Sequence, residues 1–175
     1  PGRNANAVAE FTIAMMLNLN RQLYDFMYQT KKINWPRKTS NKWGLDYKIG
    51  ELKSSTIGLI GFGQMGTGAA YNLKKKYEVL IYDKDKDKVK NSESFSTVEE
   101  IFKKCQVSIS FLPNDKILID AHRNKSNGIL NYLKKNDIHI SCSTVSPETS
   151  QKLEKLYSKK NAYFLSAPIF ARPDG

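Results

Sequence analysis

Thr56-Ile57-Gly58-Leu59-Ile60-Gly61-Phe62-Gly63-Gln64-Met65-Gly66 is the stretch on which the fold turns. Residues 56–60 read as a short buried strand, and residues 64–76 carry the apolar spacing of an amphipathic helix. Between them the glycines stand at G-x-G-x-x-G spacing, each with its own task. Gly61 permits a tight turn, Gly63 lets the backbone approach a pyrophosphate, and Gly66 lets helix and strand pack closely. The helix N-terminus adds free N–H groups and the positive end of a dipole. Together with Phe62, Gln64 and Met65, these glycines form a loop suited to a dinucleotide.

A second strand is predicted at 78–82, and Asp83 closes it 22 residues after Gly61. A carboxylate there accepts hydrogen bonds from both adenosine ribose hydroxyls and repels a 2′-phosphate, which favours NAD. Lys84 and Lys86 follow at once and keep NADP as the alternative cofactor.

The alternation continues with a helix at 97–105, a strand at 107–112, and a helical stretch at 116–135 broken near Asn127-Gly128. A strand at 138–144, a helix at 147–160 opened by Ser146 and a strand at 162–169 follow. Strands separated by helices of this length imply a parallel sheet covered on both faces. The fold class is therefore α/β, a Rossmann-type doubly wound parallel sheet. Ahead of it, Val8, Phe11, Leu17, Leu23 and Met27 mark one long helix over 7–31, and residues 32–53 form an irregular arm carrying Trp35 and Trp43. The expected division is an N-terminal helix and arm over 1–55 and a dinucleotide-binding domain over 56–175.

The 175 residues are 40% hydrophobic and 26% charged, enough for one ordinary core and too apolar for disorder. No apolar run reaches the length of a membrane helix. The net charge of +11 admits an anionic partner, but it is spread along the chain, +5 over residues 1–50 and +6 over the rest. A dedicated basic arm is absent, which argues against nucleic acid as the main partner. Cys105 and Cys142 lie 37 residues apart without CxxC spacing, so no metal site is expected, and two unpatterned cysteines suit the reducing cytoplasm. Pro1 in place of Met and the final Pro173-Asp174-Gly175 read as cuts through a longer polypeptide.

From Thr56 onward the chain resembles the cofactor domain of the β-hydroxyacid dehydrogenase family, which includes 3-hydroxyisobutyrate and 6-phosphogluconate dehydrogenases. Four stretches carry the resemblance: the glycine loop, Val79 to Asp83, Ser110-Phe111-Leu112-Pro113, and Ser143-Thr144-Val145-Ser146-Pro147-Glu148-Thr149-Ser150. The last is the most specific. The resemblance implies that Leu112, Pro113 and Thr144 meet the nicotinamide half of the cofactor and that Ser143 meets a substrate carboxylate. It further implies that a small hydroxy acid is the substrate. Where the family has a glycine-rich substrate loop, this chain has Ala167-Pro168-Ile169-Phe170-Ala171-Arg172, so Arg172 is the expected anion contact.

Residues 1–55 resemble instead the start of the cofactor domain of D-isomer-specific 2-hydroxyacid dehydrogenases, on Pro1 to Glu10, Arg21, Trp35 and the Gly50-Glu51-Leu52 entry to the first strand. That resemblance implies a homodimer through the long helix. The 2-hydroxyacid family needs an Arg after the strand at 138–144, where this chain has Val145-Ser146-Pro147; the β-hydroxyacid family uses a Lys of a later helical domain. The catalytic acid/base is therefore expected outside this chain. His122 and His139 match neither catalytic position and read as surface or strand residues. The remaining alternative is a non-catalytic nucleotide-binding interaction module.

Overall fold

The computed structural model describes residues 55–90 and 92–169 and places Glu10, Ala14 and Asn18 in a helix, within the helix expected over 7–31. The remainder of that helix, the arm at 32–53 and Arg172 lie outside the described residues.

Five strands, β1 (Thr56–Ile60), β2 (Glu78–Tyr82), β3 (Val107–Ser110), β4 (Ile138–Ser141) and β5 (Tyr163–Ser166), form one parallel sheet in the order β2-β1-β3-β4-β5. Helix α1 (Gln64–Leu73) follows β1, α2 (Val98–Lys104) follows β2, α3 (Asp115–Arg123) and α4 (Ile129–Tyr132) follow β3, and α5 (Pro147–Ser158) follows β4. The strand order reverses at β1, which lies between β2 and β3, so the crevice at the carboxyl ends of these strands is the switch point. On the outer edge of β2 a single parallel bridge joins Ile81 to Phe95. The charged and serine-rich run from Lys84 to Ser94 offers no apolar alternation from which a longer strand could form.

Side-chain alternation divides the core. Ile57, Leu59, Val79, Ile81, Ile109 and Ile140 pack on one face with Ala69, Ala70 and Leu73 of α1, whose buried positions follow helical spacing. Ile60 and the inward residues of α2, α4 and α5 fill the other face. Gly58 points to α2 there. A β-carbon at Gly58 would stand 2.3 Å from Ile101 Cγ2, so the bare backbone lets α2 settle on β1. Thr97 and Glu100 start α2 with a reciprocal capping box.

The structure corrects several boundaries. The strands expected over 107–112, 138–144 and 162–169 end at Ser110, Ser141 and Ser166. Among the described residues each is prolonged by one rung, Phe111 N–H to Ile60 O (2.9 Å), Cys142 N–H to Ser110 O (2.9 Å) and Ala167 N–H to Ser141 O (2.8 Å). Apolar residues beyond these points, such as Phe111 and Ile169, pack on the core from loops, and burial without pairing mimicked strand. The helical stretch at 116–135 is two helices. Asn124 ends α3 by accepting the amides of Ser126 and Asn127, and Gly128 sits so close that a β-carbon would lie 2.4 Å from Asn124 O. The helices expected over 64–76, 97–105 and 147–160 lose one to three residues at their ends, Thr97 and Ser146 serving as N-caps.

His122 is a further correction. It is fully buried in the last turn of α3 rather than on the surface, because Leu118 and His122 lie one turn apart on the inward face. Its Nδ1 pairs with Leu118 O at 2.8 Å and its Nε2 with the Tyr157 hydroxyl at 3.0 Å. His139 is the expected strand residue, bonded by Ser108 and Ser110 at 2.8 and 3.0 Å.

Candidate functional site

A cavity of about 950 Å³ opens at the carboxyl ends of the strands. Every strand contributes to its walls through the loop that follows it: Gly61 to Gly66 after β1, Asp83 after β2, Leu112 and Pro113 after β3, Ser143 and Thr144 after β4, and Ile169 after β5. Of the residues singled out from the sequence, Gly61, Gly63, Gln64, Met65, Gly66, Asp83, Leu112, Pro113, Ser143 and Thr144 all meet there. Phe62 differs: its ring packs on the core and its main chain does the local work.

The three glycines separate by cause. Gly61 has φ +93° and a β-carbon on it would lie 2.3 Å from Phe111 O. A β-carbon on Gly66 would lie 2.0 Å from Gly61 O, so that glycine closes helix on strand. Gly63 has φ −75°, open to any residue, and a β-carbon there meets nothing within 4 Å. The fold does not need this glycine. Gly63 caps α1 without a side-chain hydrogen bond, and the first turn of α1 carries no acidic residue, so the cavity wall at that point is backbone N–H with a positive dipole. That arrangement suits a phosphate group pressed against the chain at Gly63.

Asp83 ties the loop to β2. Its Oδ2 accepts the Phe62 amide at 2.6 Å and its Oδ1 accepts the Asp85 amide at 2.8 Å, while Gly61 N–H donates to Tyr82 O at 2.8 Å. Each carboxylate oxygen keeps a second lone pair for a hydroxyl. Tyr82, beside it in the wall, accepts a hydrogen bond from Asn127 Nδ2 at 3.3 Å; burial and then the Asp83 charge raise its phenol above the ordinary range.

Across the crevice, buried Ser143 accepts the Leu112 amide at 2.9 Å, leaving its own O–H outside that bond. Thr144 donates to Ile169 O at 3.3 Å, which joins the loops after β4 and β5. The cap of α5 is the task of Ser146, whose Oγ accepts the Thr149 amide at 3.3 Å, with Pro147 at the first helical position. Asp115 accepts both the amide and the hydroxyl of Ser146; these bonds hold its carboxyl down at about 2. Ser143 and Thr144 are thus free of the capping task.

Sequence reasoning missed part of the wall. Tyr82, Cys142 and Ile169 adjoin positions already singled out, and adjacency to a strand's carboxyl end was the available signal. Asp120, Ala121 and Asn124 enter through α3, which needed the tertiary path of that helix. Among the described residues no group of three or more His, Cys, Asp or Glu stands together as a metal-binding cluster.

Residues 56–171 match the family model described as the NAD binding domain of 6-phosphogluconate dehydrogenase. An uncharacterised oxidoreductase of Bacillus subtilis, YfjR, is 34% identical over 124 residues, covering 67% of this chain and 43% of that protein. The mitochondrial 3-hydroxyisobutyrate dehydrogenase of Homo sapiens is 34% identical over 119 residues, covering 65% of this chain and 35% of that protein. The chain thus spans about two fifths of the length of these curated relatives. In fold it is similar to the NAD-dependent formate dehydrogenase of Staphylococcus aureus in complex with NAD, with a TM-score of 0.66 and 18% identity over 98% of this chain and 50% of that one.

Proposed function

This chain belongs to the family of the NAD binding domain of 6-phosphogluconate dehydrogenase, and on that premise we propose that it is the cofactor-binding part of an oxidoreductase that exchanges hydride between NAD and a small hydroxy acid. The observation that carries the reading is Gly63, a glycine with ordinary φ and an open cavity where its side chain would be. A residue that the fold leaves free to be anything is glycine where a pyrophosphate would touch the backbone.

When bound, NAD supplies the hydride acceptor at C4 of its nicotinamide. The residues of this chain hold and orient. The 61–66 loop and the uncapped amides of α1 take the pyrophosphate, and Asp83 takes the adenosine ribose and disfavours a 2′-phosphate, with Lys84 in the wall as its counterweight. The reading gives the nicotinamide to Leu112, Pro113 and Thr144, and the substrate carboxylate to Ser143, with Arg172, which lies outside the described residues, as the expected second contact. Among the described residues the cavity walls after β4 and β5 are Cys142, Ser143, Thr144 and Ile169, none a carboxylate, imidazole or amine. The reading assigns proton transfer to none of these four residues.

The reading also takes residues 1–55 as a helix and arm, the assembly as a homodimer and the compartment as the cytoplasm. Cys105 and Cys142 are both buried and neither is in a disulfide, and burial pushes the Cys105 thiol up to about 12, as suits an inert thiol in a reducing compartment. Among the described residues no helix is long and apolar enough to cross a membrane. Sedimentation velocity tests the dimer.

A second reading, the cofactor domain of a D-2-hydroxyacid dehydrogenase, draws on residues 1–55. Against it, Val145-Ser146-Pro147 stands where that family needs an Arg, and Ser146 and Pro147 are engaged in starting α5. Fluorescence titration of the 175-residue chain with NADH and with NADPH tests the leading reading. Saturable binding with NADH tighter is expected. A folded chain that binds neither would overturn it and leave a non-catalytic module.

A further inference from the structure

The glycine loop is held to the end of β2 by two rungs. The first is main chain to main chain, Gly61 N–H to Tyr82 O, and the second is the 2.6 Å bond from the Phe62 amide to Asp83 Oδ2. The same carboxylate also fixes the turn beyond β2 through the Asp85 amide. We propose that Asp83 is the positioning residue of the phosphate-binding loop as well as a ribose contact, so that it contributes to the binding of ligands that have no ribose diol. The proposal rests on the cofactor reading given above.

The physical case begins with charge. A carboxylate beside a site for a diphosphate opposes the anion, and removing it would relieve that repulsion. The contact with the Phe62 amide supplies a compensating reason for its presence, because a charge-assisted bond fixes that amide in a loop with little else to define it. Gly61 is left-handed, Gly63 has no side chain, and the Phe62 ring anchors the loop from the core side only. With Asp83 removed, the loop keeps one rung, and the ordering of the α1 amides falls to the ligand.

Binding of ADP and of 2′,3′-dideoxy-ADP to the wild-type chain and to Asp83→Ala, by calorimetry, separates the two roles. The variant is expected to bind dideoxy-ADP roughly tenfold more weakly than wild type does, the loss typical of one charged hydrogen bond. Dideoxy-ADP affinity within about twofold of wild type would confine Asp83 to the diol and overturn the proposal. Asp83→Asn keeps one oxygen for the Phe62 amide and is expected to restore most of the dideoxy-ADP affinity; no restoration would also count against it. A wild-type chain that binds neither nucleotide defeats the cofactor reading rather than this one. Hydrogen exchange then decides independently: the Phe62 amide of the unliganded wild-type chain is expected to be protected, and exchange at the rate of an open chain would refute its bond to Asp83.

Discussion

The imidazoles of His122 and His139 meet edge to face with ring centroids 5.0 Å apart, both fully buried between α3, β4 and α5. Tyr157 and Phe164 complete the aromatic group around them. Burial pushes His122 down to about 4, and burial together with His122 drives His139 well below its ordinary range. Both are therefore neutral in the folded state, consistent with a His122 Nδ1–H directed to Leu118 O and a Tyr157 hydroxyl donating to Nε2. The unfolded chain binds more protons between about 4 and 6.5, so stability is complete above 6.5 and is lost as pH falls through that window. The shift of His122 alone corresponds to roughly 3 kcal/mol. Urea unfolding between pH 4 and 7 is expected to show this fall, and His122→Phe to reduce its slope by about one proton. An unchanged slope in that variant would refute the assignment.

Ser146 serves two partners, the Thr149 amide of its own helix and the carboxylate of Asp115 at the start of α3. Ser146→Ala is expected to cost about 1 kcal/mol through the lost cap. It should also raise the Asp115 carboxyl from about 2 toward the ordinary range, since the Ser146 hydroxyl is the largest cause of its depression. Carbon-detected NMR titration reads that change. A carboxyl that still titrates at about 2 would show that the Thr149 hydroxyl and the remaining amide bonds suffice.

These two cases mark how far the sequence could be read. The strands at 56–60 and 78–82 were legible to the residue, because turn-forming residues bound each apolar run and a glycine or aspartate closes it. The loop and Asp83 were legible because their spacing is itself a geometry. The Asp115 to Ser146 bond and the buried histidines were not, since each joins residues far apart in the chain through the path of α3, and a histidine carries no apolar signal of its burial. For the same reason the α3 wall of the cavity escaped notice while the strand ends did not.

Ser143 supports Leu112 across the crevice through the 2.9 Å bond that its oxygen accepts. Ser143→Ala leaves the Leu112 amide without that acceptor, and a loss of about 1–2 kcal/mol in unfolding free energy is expected. If Leu112 flanks the nicotinamide, NADH should weaken while ADP, which lacks that half, binds as before. Equal weakening of both ligands would place Ser143 outside the nicotinamide end.

Gly63 and Gly66 belong to one motif and are expected to fail in opposite ways. A β-carbon at Gly66 would stand 2.0 Å from Gly61 O, a backbone atom that cannot swing aside, so Gly66→Ala should destabilise the fold by about 2–3 kcal/mol and lose NADH binding as a consequence. A β-carbon at Gly63 meets nothing within 4 Å, and the residue caps α1 with ordinary extended backbone. Gly63→Ser should therefore fold at least as well as wild type, gaining a few tenths of a kcal/mol from a side-chain cap. Its hydroxyl would occupy the space and the amides that the proposed function gives to a pyrophosphate, so NADH affinity should nonetheless fall sharply, and Gly63→Val should abolish binding. Thermal melts alongside NADH titrations separate the outcomes. A stable Gly63→Val chain that still binds NADH would remove the phosphate from this loop, whatever the stability of Gly66→Ala.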